Sequence, residues 1–195
     1  MDSETFVVGC THFNHKNIIR YTGRPFSGIK EMNETMIENW NKVVLPDDRV
    51  WHLGDFIFAN VERTQEILER LNGRKCLILG NHDNRKPDWY TWAGFDIARR
   101  GSLVMGHLDR PIVLTHRPLT VKEENGSGVL SQIALLEALR RRPYSKALLN
   151  VHAHIHEKDP DKPRRINVCV EKTDYRPVHL EKLVEEFEEK EEGTV

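Results

Sequence analysis

"KCLILGNHD", residues 75–83, is the stretch on which the fold turns. An apolar, β-rich run is cut by a glycine, and three side chains that hold metals or move protons follow at once. Lys75–Leu79 reads as a buried strand and Gly80 as its stop. Asn81, His82 and Asp83 are then presented at its carboxyl end. The same syntax recurs four times along the chain. "TFVVG", residues 5–9, leads to Cys10 and His12. "RVWHLG", residues 49–54, leads to Asp55. "PIVLT", residues 111–115, leads to His116, and "KALLNV", residues 146–151, leads to His152, His154 and His156. In α/β sheets, sites form where the carboxyl ends of separate strands converge. Five distant segments with one syntax are far more specific than any one of them.

Between these strands the sequence alternates with helices. Met32, Met36, Trp40 and Val43 recur at helical spacing, which predicts an amphipathic helix over 31–44. Asn60 is placed to cap a helix over 61–71, with Ile67, Leu68 and Leu71 on one face and Asn72-Gly73 at its end. "KPDWYTWAGF" predicts a short helix with Pro87 near its start. The strands at 101–105 and 111–114 flank "GHLDR" and read as a hairpin. "EENGSG", residues 123–128, reads as a loop, and 129–141 as a helix stopped by Pro143. A strand is expected over 165–170, and a final helix with an acidic tail from about residue 180. The expected class is α/β with a partly mixed sheet, in one domain over 1–195.

Bulk properties narrow the function. The chain has 195 residues, 38% hydrophobic and 30% charged, with a formal net charge of −1. That is a globular composition without the basic excess of a nucleic-acid-coating protein. Three cysteines without framework spacing favour a reducing compartment over a disulfide scaffold. "MDSETF" has no signal-peptide character, and no apolar run approaches the roughly 18 residues of a membrane span. The cytoplasm is the expected location. The donors are imidazoles, carboxylates and an amide, a set suited to Mn, Fe or Zn.

The ordered series "CTHFNH", "GDF", "GNHD", "THRP" and "AHIH", over residues 10–156, resembles the calcineurin-like metallophosphoesterases, most closely their small cap-less members. The resemblance implies a β-sandwich of mixed sheets flanked by helices in four layers, with two divalent metal ions at one edge. It places His12 and His156 on the first metal with whatever residue 10 supplies, and Asp55 between the two. Asn81, His116 and His154 fall on the second. His82 would protonate the leaving group, Asp83 would orient His82, and a hydroxide between the metals would attack phosphorus. His15 either faces the substrate phosphate or caps "KNIIRY", and Arg117 either holds phosphate oxygens or is a surface arginine. His152 is left as structural, although alternation along an extended "HAHIH" would put 152, 154 and 156 on one side.

The chain departs from the family pattern at three positions. Cys10 stands where the family has Asp, Ala153 where it often has Gly, and Phe58 where many members carry a second Asp. A thiolate suits Zn or Fe(II) better than Mg, so Cys10 shifts the first site toward softer ions. The expected activity is hydrolysis of a phosphodiester or a small phosphorylated metabolite, nucleotides included, with that substrate as partner and no membrane. Two alternatives remain. One is a nuclease, whose basic surface would draw on Arg20, Arg24, Lys86 and Arg117; the other is a catalytically weakened binding module on the same scaffold.

Overall fold

A computed structural model describes residues 3–107, 110–119, 148–159 and 163–193. Strand β1 (Thr5–Val8) is followed by helices α1 (Lys16–Tyr21) and α2 (Ile29–Val43), strand β2 (Arg49–His52) and helix α3 (Val61–Arg70). Strand β3 (Arg74–Ile78), helix α4 (Pro87–Trp92) and strand β4 (Ile97–Arg99) come next. Strands β5 (Leu103–His107), β6 (Arg110–Thr115), β7 (Leu149–His152) and β8 (Arg165–Asn167) form a second group. A short 3₁₀ turn (Val170–Lys172), strand β9 (Val178–His179) and helix α5 (Leu180–Glu192) follow.

The strands make two mixed sheets, in the orders β4-β3-β2-β1-β9 and β5-β6-β7-β8. In the first, β1 to β4 run parallel and β9 is antiparallel to β1. In the second, β5 and β6 form the expected hairpin, and β6, β7 and β8 run parallel. The class is therefore α/β, as the strand and helix patterns require.

Alternation along the central strands separates two cores. Phe6, Val8, Val50 and Leu77 face one way, against Met32, Met36, Ile37 and Trp40 of α2 and Ile67 and Leu68 of α3. Val7, Trp51, Cys76 and Ile78 face the other way, against Ile112, Leu114, Leu149 and Val151 of the second sheet. A period of two makes this split inevitable once both faces of a parallel sheet are covered. Leu180 and Val184 of α5 close the edge of the inter-sheet core. The Asn60 cap of α3 is made as expected, its side chain accepting from the Arg63 N–H at 3.1 Å.

Several boundaries differ from expectation. The strand expected over 165–170 stops at Asn167, because Asn167 turns its Oδ1 onto the Cys169 N–H and the chain enters the 3₁₀ turn. Strands β4 and β9 were not expected: β4 has no hydrophobic alternation and leaves Ile97 46% exposed, and β9 is two residues long. The loop over 123–128 and the helix over 129–141 lie outside the described residues. No helix among the described residues is long and apolar enough to cross a membrane.

Candidate metal centre

The loops after β1 and β2 run side by side. The Cys10, His12 and Phe13 N–H groups donate to the carbonyls of Gly54, Asp55 and Phe56 at 2.9 to 3.0 Å. This continuation of the ladder is irregular: Cys10, His12, Asn14 and Asp55 all adopt left-handed backbone, with φ between 49° and 62°. Non-glycine residues seldom take that conformation, and where they do they cluster at functional sites. Asn33 of α2 holds the first loop, its amide donating to Asn14 Oδ1 while its Oδ1 accepts from the Asn14 N–H.

The two sheets meet at Gly9, whose N–H donates to Val168 and whose carbonyl accepts from Val170. A Cβ there would overlap the Ala153 Cβ, so only glycine lets "AHIH" approach the first loop. Gly80 is equally constrained: a Cβ would overlap Asp55 Oδ1 and lie 2.8 Å from His116 Cε1. The contact at Gly80 brings the loops of β2, β3 and β6 together.

Asp55 sits at the centre and is 2% exposed. Its Oδ1 accepts from the His82 N–H at 2.8 Å. Its Oδ2 lies 3.7 Å from His12 Nε2 and 3.4 Å from His116 Nε2. Burial raises its pKa, and the His82 N–H opposes that rise. Cys10 Sγ belongs to two groups of donor atoms, each within 4.8 Å of one another: one with His12 and His156, the other with Asp55 and His116. Sequence reasoning grouped Cys10 with His12 and His156, and the structure brings their donor atoms together. The Cys10 thiol is completely buried, accepts from the His154 N–H at 3.3 Å, and is held well above its ordinary pKa by burial and then by Cys169.

Tautomers follow from the fixed partners. His116 Nδ1 lies 2.7 Å from the Leu53 carbonyl, which only accepts, so Nδ1 carries the proton. Burial lowers His116 to about 4, leaving its Nε2 as a bare lone pair at neutral pH. That lone pair faces Asn81 Oδ1 at 2.9 Å and His154 Nδ1 at 3.2 Å. His156 Nδ1 lies 3.0 Å from Glu171 Oε1, so it too donates from Nδ1 and keeps Nε2 free. His12, 2% exposed, has both ring nitrogens buried without a hydrogen-bond partner. Donor atoms of Asp55, Asn81, His116 and His154 thus converge beside a buried imidazole without a hydrogen-bond partner. Buried polar atoms are usually paired, and a divalent cation held among these donors would give His12 a partner. These residues fit a metal.

Three expectations need correction. Asp83 was expected to orient His82. Its buried carboxylate instead accepts from the Gly80 and Asp55 N–H groups at 2.7 Å and from Phe56 at 3.2 Å, so it pins the loops of β2 and β3 together. Alternation does not unite His154 and His156 with His152. The strand ends at His152, and left-handed turns at His154 and His156, with φ of 73° and 52°, aim the two rings. His152 stays structural, donating from Nδ1 to the Ala153 carbonyl. Arg24 is not a surface cation: it is 4% exposed.

Arg24 and Glu171 are a buried pair behind the candidate site that sequence reasoning missed. Arg24 donates to the Cys10 and Thr11 carbonyls at 2.7 Å and to Glu171 Oε1 at 2.8 and 3.0 Å. Glu171 in turn fixes His156. Burial pushes the Glu171 carboxyl up, but the His156 hydrogen bond and the Arg24 charge outweigh it and hold it below its ordinary value. The signal was present, since Glu171 follows the apolar run "RINVCV", whose first three residues form β8, as the other site residues follow theirs.

His15 occupies the N-cap position of α1 without a side-chain cap bond, and its ring contacts Phe58 and Tyr21 instead. With His82 it lines a cavity of about 500 Å³ that opens over His12, His154 and His156. Arg117 is exposed, and its charge contributes to lowering both His116 and His154.

No protein-family model matches the chain. Over 192 residues it is 34% identical to "Uncharacterized protein MJ1445" of Methanocaldococcus jannaschii, covering 94% of this chain and 90% of that protein. The Gene 66 protein of Mycobacterium phage L5 is 33% identical over 88 residues, 44% of this chain and 42% of that protein. Among solved structures, the protein of unknown function AQ665 from Aquifex aeolicus superposes with a TM-score of 0.69 at 26% identity, over 94% of this chain and 99% of that one. A structure described as a novel archaeal phosphodiesterase reaches a TM-score of 0.41 at 18% identity, covering 84% of this chain and 82% of that one, too distant a likeness to carry an argument.

Proposed function

The chain belongs to one family with that uncharacterized archaeal protein, and we propose that it is a metal-dependent phosphoesterase. The observation that carries this reading is the convergence of Cys10, His12, Asn81 and His116 around Asp55, with the His12 imidazole lacking any hydrogen-bond partner. In this reading Asp55 would contribute to holding two divalent cations. Cys10, His12 and His156 hold the first, and Asn81, His116 and His154 the second. The donor set suits Mn, Fe or Zn, and the Cys10 sulfur weights the first position toward Zn or Fe. Such cations neutralise phosphoryl charge and lower the pKa of bound water toward neutrality.

The protein's own groups do the rest. The fixed Nδ1 donors of His116 and His156 aim their free Nε2 atoms at the cations. His82 is 5.6 Å from His12, ring centre to ring centre, and exposed to the cavity, where it protonates the leaving oxygen. Asp83 sets the His82 backbone by holding the loops of β2 and β3. Exposed Arg117 binds phosphate oxygens, and His15 lines the path by which the ester enters. The substrate is a small phosphoester in a cytoplasmic setting. The nuclease alternative loses one of its basic residues, since Arg24 is inside the fold.

His82→Ala tests the assignment. Turnover of a phosphodiester should fall by 100-fold or more, in the usual range of about 10²–10⁴ for general acid catalysis, with metal content unchanged. Full activity in that variant would overturn the role of His82.

A further inference from the structure

The cavity over the metal centre has an aromatic wall. From His82 the next ring is Phe58, with centroids 5.5 Å apart; Phe58 also lies 5.8 Å from His12. His15 follows at 4.2 Å from Phe58, and Tyr21 at 6.3 Å from His15. Four rings thus lead outward from the residue placed at the leaving oxygen to the cavity mouth, with Ile18 beside them. The outer rings are not core. Tyr21 is 63% exposed and Phe58 37%, two of only five large apolar side chains left open among the described residues. The packing of the fold does not use these faces. Glu157 and Lys158, of opposite charge, also line the cavity.

We infer that this wall is a subsite for a planar aromatic arm of the substrate, a nucleobase or an aryl group carried on the phosphate beside His82. The inference rests on the phosphoesterase reading and specifies the class of ester. An aromatic face stacks any planar ring with little demand for hydrogen bonds, so the wall recognises shape and π-surface rather than a particular base. A flexible alkyl or sugar arm would leave Phe58 and Tyr21 in water.

The test is calorimetric binding of AMP, phenyl phosphate and ribose 5-phosphate to the Mn²⁺-loaded protein, repeated with Phe58→Ala, Tyr21→Ala and the double variant. Both side chains are substantially exposed, so these variants retain the fold. AMP and phenyl phosphate should bind about 10-fold or more tighter than ribose 5-phosphate, the usual worth of one stacking contact. In the double variant the ratio should fall to about one. Equal affinities in the wild-type protein, or a preference that survives the double substitution, would overturn the subsite. A gain for one aromatic probe alone would narrow it to a nucleobase or to an aryl ester. Ribose 5-phosphate reports the phosphate site itself, so its binding without any aromatic preference overturns the subsite and leaves the phosphoesterase reading standing. Binding of none of the three overturns both.

Discussion

Replacing Arg24 by methionine should be among the most damaging single changes outside the proposed metal ligands. The guanidinium is fully buried and faces a carboxylate whose side chain is 4% exposed. Arg24→Met leaves Glu171 ionised and buried with only His156 as partner, its Oε2 already having none. It also strips the Cys10 and Thr11 carbonyls of their donors. Breaking one side of a buried pair costs about 3–5 kcal/mol, and each buried carbonyl left unpaired adds about 1–3 before relaxation. A loss of about 4 kcal/mol is therefore the conservative expectation. For a chain of this size each kcal/mol moves Tm by about 2–4 °C, so the midpoint should fall by roughly 8–16 °C. The assay is urea and thermal unfolding with chelator present, so that metal linkage does not contribute. Arg24→Met combined with Glu171→Leu should recover more than half of the loss, because the stranded charge is gone. A single-variant loss under about 1 kcal/mol, or no recovery in the double variant, would refute the reasoning.

Other outcomes follow from the same contacts. Glu171→Gln keeps the shape but weakens the acceptor that fixes His156, and metal affinity should fall by about 10–100-fold in a Zn²⁺ or Mn²⁺ titration; unchanged affinity would remove Glu171 from the metal centre. Cys10→Asp should raise Mn- or Mg-supported activity by supplying a harder donor, and unchanged metal preference and occupancy would make Cys10 a bystander. His52 and His152 are buried and neutral, with burial lowering them from 6.5 to about 3 and about 4. Since the unfolded chain binds those protons first, stability should be complete above about pH 6.5 and fall toward pH 4. The fall should be roughly tenfold in the folding equilibrium per pH unit for each histidine. Unfolding midpoints at pH 7.5, 6.5 and 5.5 check this, and a flat profile would contradict it.

The parts of the centre legible in the sequence were those carried by local syntax. A strand, a stop and a donor are neighbours in the chain, so Asp55, Asn81, His116, His154 and His156 stood out, and the structure brings them together. Contacts that bridge distant segments were not legible. Arg24 and Glu171 are 147 residues apart, and nothing local to "GRPF" marks its arginine as buried. Asp83 was misread for a related reason. Proximity in sequence suggested a bond to His82, whereas the backbone amides of Gly80, Asp55 and Phe56 are closer in space and stronger in sum. Left-handed turns at His154 and His156 escaped a period-two argument because the strand ends before them. The weak edge strand β4 offered no alternation to read.

The central claim is that these donors hold catalytic metal. The most direct measurement is metal content of the purified protein, with unfolding midpoints before and after chelation and turnover of phosphodiesters and phosphomonoesters with Mn, Fe, Zn and Mg. The account expects bound divalent metal, a lower midpoint on chelation, and hydrolysis restored by at least one of the four ions. No turnover with any of them, together with a midpoint that chelation leaves unchanged, would contradict it.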